Sequence, residues 1–246
     1  MQTEPRPKIS TVEGWTLHEY TTVGSTNLTA AALSVWEAVR ADWQTAGRGR
    51  FQRQWVSDEG GLWLTAVVPI KPTVPALPLA VGLAVADTLR ALGVGSLRLR
   101  WPNDVLVGDR KLAGLLVDQF RPGVAVVGVG VNVRNQPELR DASLRQQTTR
   151  LADLLPAPPS IGELMALLLR QLRHTVLAME TAGFESLLPR LNQSWGGVRQ
   201  VELDLDGVIR RGEFRGVDGQ GRLILLEPSG DRAFYAAHQV RHLRET

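Results

Sequence analysis

The chain has 246 residues, 43% of them hydrophobic, enough for a real core; at about 100–200 residues per domain this suits one larger domain plus a small one. Cysteine is absent, which excludes disulfides, thiolate metal sites and thiol nucleophiles and suits a reducing compartment. The formal net charge of only +3 gives no strong field for a polyanion.

The N-terminal "MQTEPRPKIS" is polar with two prolines, unlike a signal or transit segment. Residues 16–24 predict a strand running into "GSTN", and a short helix follows with Ser25 or Thr26 as N-cap. "VRADWQT" predicts a strand leading into "QTAGRGRFQRQW", where Arg48, Arg50 and Arg53 stand beside Gly47 and Gly49, with Trp55 at the end. Guanidinium forks bind carboxylate and phosphate bidentately, so this loop suits a small anion; an exposed loop of solvated arginines reads the same way. "GLWLTAVVPI" predicts a buried strand, and Pro75–Leu92 a helix stopped by Gly93. The apolar stretch "VPALPLAVGLAVADTL" is shorter than the roughly 20 residues of a membrane span, so a cytoplasmic protein is expected.

"LRLRW" alternates, and "VLV" and "RKLAGLLVDQF" flank Gly108-Asp109, a two-residue hairpin signature. "VAVVGVGVNV" adds a further strand, so an antiparallel meander is expected. Asn103 and Asp104 then lie at a strand end facing Lys111, one of only three lysines in the chain. An ordinary Asp104–Lys111 surface pair would contribute about 0–1 kcal/mol. Gly114 interrupts a good strand, which suggests close packing over its backbone, while Gly128 and Gly130 leave backbone exposed for a planar ligand to stack on, with Asn132 on the same face. Residues 134–159 read as loop, Ser160 caps a helix over "IGELMALLLRQLRHTVLAME", and "FESLLPRLNQSW" adds a shorter one. From Val198 short strands and glycine turns carry eight arginines against eight acidic residues, a small β-barrel with no net electropositive footprint.

The order Ser-Thr-Asn, Gly-Arg-Gly-Arg-x-x-Arg-x-Trp, Arg-Trp-Pro-Asn-Asp, Lys-Leu-Ala-Gly and Gly-x-Gly-x-Asn resembles that of biotin protein ligases over nearly the whole chain. The resemblance implies an α+β fold: a mixed/antiparallel sheet with helices on one side, of the class II synthetase-like biotin/lipoate ligase type, over 1–195. A small SH3-like β-barrel would follow over 196–246. The implied reaction is ATP-dependent formation of biotinyl-5′-AMP, then transfer to the acceptor lysine of a biotin carboxyl carrier protein domain of a biotin-dependent carboxylase. Lys111, Arg48 and Arg50 are the implied catalytic residues, with Lys111 reaching both carboxylate and α-phosphate. Ser25, Thr26, Asn27, Gln44, Gly47, Gly49 and Gly114 would complete the biotin site with them. Arg53, Trp55, Arg100, Asn103, Asp104, Gly128, Gly130 and Asn132 would face ATP, with Asp104 a weak Mg²⁺ ligand and no tightly bound prosthetic group.

The catalytic signatures begin almost at once, so a type lacking the N-terminal helix-turn-helix domain is expected, without DNA as a partner. Homodimer pairing through the catalytic sheet is a further family trait. The chain departs from the family pattern at Gly24, Arg100 and Gln52, where Asp, Lys and Gly are frequent. Glycines in the arginine loop predict a segment ordered by ligand. The rival readings are a lipoate-type acyl-adenylate ligase, a ligand sensor without turnover, and a non-enzymatic nucleic-acid-binding protein.

Overall fold

The computed structural model describes residues 6–70, 74–141, 144 and 147–246. The first five residues of the polar N-terminal stretch and four residues of the expected 134–159 loop lie outside the described residues. The first eight strands are β1 (Lys8–Val12), β2 (Trp15–Val23), β3 (Glu37–Gln44), β4 (Leu62–Pro69), β5 (Leu97–Arg100), β6 (Asp104–Val107), β7 (Arg110–Arg121) and β8 (Val124–Val131). They form one mixed sheet in the order β1-β2-β3-β4-β8-β7-β6-β5. Only β2 and β3 run parallel, and the chain between them carries the short helix α1 (Thr26–Ala30) across the sheet. The expected meander from β5 to β8 is antiparallel throughout.

β4 sits at the middle of the sheet, and its run, apolar but for Thr65, is buried on both faces. Alternation divides the two faces. Ala38, Ala66 and Val127 point into the main core, while Val39, Val67 and Val126 meet Ala30 of α1 on the other side. Two long helices, α2 (Leu77–Ala91) and α3 (Ile161–Ala182), cover the main face, packed on each other and on the sheet. Ser160 and Glu163 form a reciprocal capping box that starts α3, and Gly183, at φ 73°, ends it. "FESLLPRLNQSW" splits into a 3₁₀ turn and α4 (Leu188–Gln193), with Pro189 in the first turn of α4, where its missing N–H costs nothing.

The C-terminal strands are β9 (Arg199–Leu205), β10 (Val208–Val217), β11 (Leu223–Leu226), β12 (Arg232–Tyr235) and β13 (His242–Glu245). They pair antiparallel in the order β12-β11-β10-β9-β13. The outer strands β12 and β13 do not pair with each other among the described residues, so the expected barrel is an open sheet, SH3-like in its small antiparallel build. Its inner face, including Phe214, Val217 and Leu223, belongs to the same apolar cluster as Trp101 and Trp195. A polar seam joins the two sheets as well. Arg98, 5% exposed, donates to Glu245 at 2.6 and 2.8 Å and to Asp109 at 2.9 Å, and Trp101 Nε1 donates to Gly221 O at 3.2 Å.

Candidate active site

A cleft of about 430 Å³ opens where β4, β7 and β8 meet the arginine loop, the β5–β6 turn and the C-terminal strand β13. One end is uncharged and tightly bonded. Gln44, at the end of β3, accepts from Thr26 N at 2.8 Å and from the Thr26 hydroxyl at 2.9 Å through one Oε1. Its Nε2 donates to Ser57 Oγ at 2.8 Å, and that hydroxyl donates to Trp55 O at 3.0 Å. Because the Thr26 backbone N–H can only donate, the Gln44 atom facing it is the amide oxygen, which fixes the orientation of the Gln44 amide.

Asn27 continues the network on the other side of Thr26. Its Nδ2 donates to Asp118 Oδ2 at 2.9 Å and Leu116 O at 3.3 Å. Thr65, fully buried on β4, lies 2.8 Å from both Asn27 Oδ1 and Thr26 Oγ1, and its single hydroxyl proton serves one or the other. Thr65, Ser57 and Asp118 had no signal in the sequence, since each acts only through a neighbour brought close by the sheet. Ser25 occupies the N-cap position of α1 yet makes no side-chain cap bond, and it is buried along the cleft wall.

The other end is charged. Lys111 Nζ lies 2.5 Å from Asp104 Oδ1 and Arg100 Nη2 lies 2.7 Å from Asp104 Oδ2. The β6–β7 hairpin explains the meeting: Gly108 takes φ 58° in its turn, and a register shift between Val105 and Leu106 brings Lys111 back toward Asp104. Burial raises the Asp104 pKa, but Lys111 and Arg100 together outweigh it and hold the carboxyl below its usual range. Arg50 stands near enough to Asp104 to feel its charge. Its own pKa is lowered to about 10 by burial, opposed by Asp104 and assisted by Arg53, so it stays cationic at neutral pH. Three cations around one carboxylate leave the site with a positive excess.

The cleft also holds what the sequence left as loop. Lys111 N donates to Gln147 O and Thr149 N donates to Lys111 O, so residues 147–149 run beside Lys111 as a short bridge. Gln147 and Thr148 line the cleft. Asn132 lies behind them, 2% exposed, donating to Thr149 O and accepting from Asn135. Asn103 donates to Leu115 O at 2.6 Å.

The glycines accommodate protein side chains. A Cβ on Gly130 would lie 2.6 Å from Trp55 Nε1, and one on Gly114 2.8 Å from the same indole. A Cβ on Gly128 would collide with Asn27, and one on Gly47 with Trp55 O and Ser57. Trp55 thus lies across both strands, with the Lys111 ammonium 4.8 Å from its ring centroid. Arg48 is exposed at the rim, whereas Arg50 and Arg53 both donate to backbone carbonyls of the C-terminal segment. All the expected site residues therefore border the cleft or pack against those that do, though many of their polar groups are bonded to protein partners.

Asp104 was the expected magnesium ligand. Both of its oxygens are engaged by cations, and no cluster of three His, Asp or Glu suited to a metal occurs among the described residues. The donor set does not fit a protein-held metal ion.

Comparison with known proteins gives these features a context. The model of the Biotin/lipoate A/B protein ligase family matches residues 23–134, and that of the Biotin protein ligase C terminal domain matches residues 199–238. The biotin--[acetyl-CoA-carboxylase] ligase of Mycobacterium tuberculosis is 35% identical over 215 residues, covering 83% of this chain and 78% of that protein. The bifunctional ligase/repressor of Escherichia coli is 33% identical over 198 residues, 77% of this chain, and the match spans 61% of that longer protein. Among solved structures, the biotin protein ligase from Aquifex aeolicus in complex with biotin and ATP aligns with a TM-score of 0.84 at 25% identity, covering 94% of this chain and 99% of the other.

Proposed function

The chain belongs to the biotin protein ligase family, and from that premise we propose that it joins biotin to a carrier-protein lysine at the expense of ATP. In the first step a biotin carboxylate oxygen attacks the α-phosphorus, the bond to the bridging oxygen breaks, and pyrophosphate leaves. In the second, the neutral amine of the acceptor lysine attacks the acyl carbonyl, and AMP departs with loss of one proton. The first step brings two anions together, so its barrier falls where fixed cations already stand.

One observation carries this reading: a single cleft with a neutral hydrogen-bonded end at Thr26 and Gln44 and a cationic end at Lys111, Arg100 and Arg50. The neutral end suits the uncharged ureido ring, and the cationic end suits carboxylate and phosphates together. Lys111, a compact charge on a flexible stem, leaves Asp104 to Arg100 as it turns to the reacting carboxylate and α-phosphate. Arg48 and Arg50 cover the intermediate, and Arg53 and Arg100 face the departing pyrophosphate. Asn132 acts on the nucleotide through the 147–149 segment that it holds. Closure over the mixed anhydride keeps water from it. Mg²⁺ enters with ATP, carried by phosphates and water, and no step is assigned to it.

The acceptor is a biotin carboxyl carrier domain of the acetyl-CoA carboxylase kind, as in the name of the mycobacterial relative. The same proposal includes a ligase unit over 1–195, a C-terminal unit over 196–246, a cytoplasmic setting and pairing of two copies through the catalytic sheet. No helix among the described residues is long and apolar enough to cross a membrane. The match to a biotin ligase C-terminal domain favours biotin over lipoate. The test is pyrophosphate exchange followed by transfer of labelled biotin to a carrier domain. Exchange driven by lipoate and not by biotin would overturn the substrate assignment.

A further inference from the structure

The arginine loop is fastened to the C-terminal sheet by more than its arginines. Arg50 Nη2 donates to Ala237 O and to Val240 O, the latter at 3.1 Å. Arg53 Nη2 donates to Arg241 O at 2.8 Å and reaches the His242 ring at 3.0 Å. Between these two arginines lies Phe51, an apolar residue in an otherwise polar loop. The Arg50 guanidinium lies 4.8 Å from its ring centroid and that of Arg241 lies 4.9 Å from the same centroid. Arg241 is anchored in turn by Asp206.

The backbone here is one that L-residues avoid. Phe51 sits at φ 53°, ψ 38°, and Gln52 follows at φ 61°, so two successive non-glycine residues are left-handed. The pair forms the tip of a short hairpin, closed by Arg53 N to Arg50 O at 3.2 Å, Gly49 N to Arg53 O at 2.7 Å and Trp55 N to Gly47 O at 2.9 Å. With no glycine at either central position, such a tip persists only where its surroundings also hold it. Arg50, Arg53 and Arg241 would also repel one another, and Arg53 does act against the Arg50 charge. The face of an aromatic ring and a row of carbonyl oxygens supply the negative ends that offset this repulsion.

We infer that Phe51 is a positioning residue, clamping Arg50 against Arg241 and the 237–242 segment so that the C-terminal sheet sets where the loop's guanidinium stands over the cleft. Phe51 touches no reacting group in this scheme; it acts through Arg50. The inference rests on the ligase reading for its kinetic consequence, but the clamp itself is a property of the chain alone. It also gives the C-terminal sheet a definite part in the site.

The experiment compares the full-length protein with Phe51→Leu, Phe51→Tyr and Arg241→Gln. Leucine keeps apolar volume without the ring face, and tyrosine keeps the ring. Without any ligand, trypsin should cut after Arg50 and Arg53 about tenfold faster in Phe51→Leu and in Arg241→Gln than in the wild type, a loss within the range of two ring–guanidinium contacts. Phe51→Tyr should behave as wild type, and the double variant Phe51→Leu with Arg241→Gln should be cut no faster than Phe51→Leu alone. In pyrophosphate exchange, Phe51→Leu should raise the KM for ATP and leave the KM for biotin unchanged, since the Thr26–Gln44 end is untouched. Cleavage of Phe51→Leu at the wild-type rate overturns the clamp, as does Phe51→Tyr behaving like Phe51→Leu, or an equal rise in both KM values. A wild-type protein with no biotin-dependent exchange counts against the ligase reading, and the cleavage rates still decide the clamp.

Discussion

The two ends of the cleft are built by different means. The neutral end is made of side chains on neighbouring strands and α1, locked by a chain of hydrogen bonds from Asp118 through Asn27, Thr65, Thr26 and Gln44 to Ser57. The catalytic sheet and α1 support it without the C-terminal strands. The charged end is assembled from three distant pieces: the β6–β7 hairpin, the arginine loop and the C-terminal segment that receives Arg50 and Arg53. Recognition of an uncharged ring tolerates only small errors in donor and acceptor placement, so a rigid network serves it. Cations that must admit one polyanion and release another are better carried on elements that move separately.

Lys111→Ala gives the largest expected break between the ends. Adenylate formation should fall by a factor of about 10²–10³, the scale of removing a charge-stabilising group, while biotin binding measured by calorimetry changes little. Normal turnover in this variant would remove Lys111 from the chemistry. Arg98→Ala comes next. Arg98 is buried and paired to Glu245 of β13, and breaking such a pair costs about 3 kcal/mol because the partner keeps only the more distant Arg199, at 3.9 Å. Chemical denaturation should show that loss. The surviving folded protein should keep its biotin affinity and lose ATP affinity, since the C-terminal segment no longer holds the loop.

Thr65→Val tests the opposite end. Valine matches the shape of threonine but leaves Thr26 and Asn27 one hydrogen bond short, worth about 1–3 kcal/mol for a buried group. The expected result is a roughly tenfold weaker biotin KM with the ATP KM unchanged. A change confined to ATP would reverse the assignment of the ends.

How much of this was readable in the sequence follows the same division. "GSTN" before a short helix and the Gly108-Asp109 hairpin are local patterns, and both the Thr26 corner and the Asp104–Lys111 pair form where they imply. Strand β1 was missed because "KISTV" is an exposed edge with no clean alternation, and β13 because "HLRE" is short and polar. The bridge of residues 147–149 to Lys111 uses only backbone groups, which any residue provides. The same holds for the carbonyls of 237, 240 and 241 that receive the loop arginines. Gly128 and Gly130 suggested room for a planar ligand and Gly114 close packing; the group over Gly114 and Gly130 is the Trp55 indole, and over Gly128 the Asn27 side chain, both placed there by folding. The expected barrel failed to close because the last strand returns to β9 instead of meeting β12.

The smallest expected effect concerns Gln52, which stands where related loops frequently have glycine. Its φ of 61° costs an L-residue about 1–2 kcal/mol. Gln52→Gly removes that strain but frees the unfolded chain, which takes back about 0.5–1 kcal/mol. The net is a stabilisation of about 0.5–1 kcal/mol, which for a chain of this size raises the Tm by about 1–4 °C. Because the glycine relaxes the docked and undocked loop alike, trypsin cleavage after Arg50 should not slow in proportion to the gain in Tm. Were the left-handed turn held by Gln52 itself, the substitution would lower the Tm. Were it held by the backbone bonds of its hairpin together with the contacts of Phe51 and Arg50, as the geometry has it, the melting point rises while the loop remains fastened at its two ends.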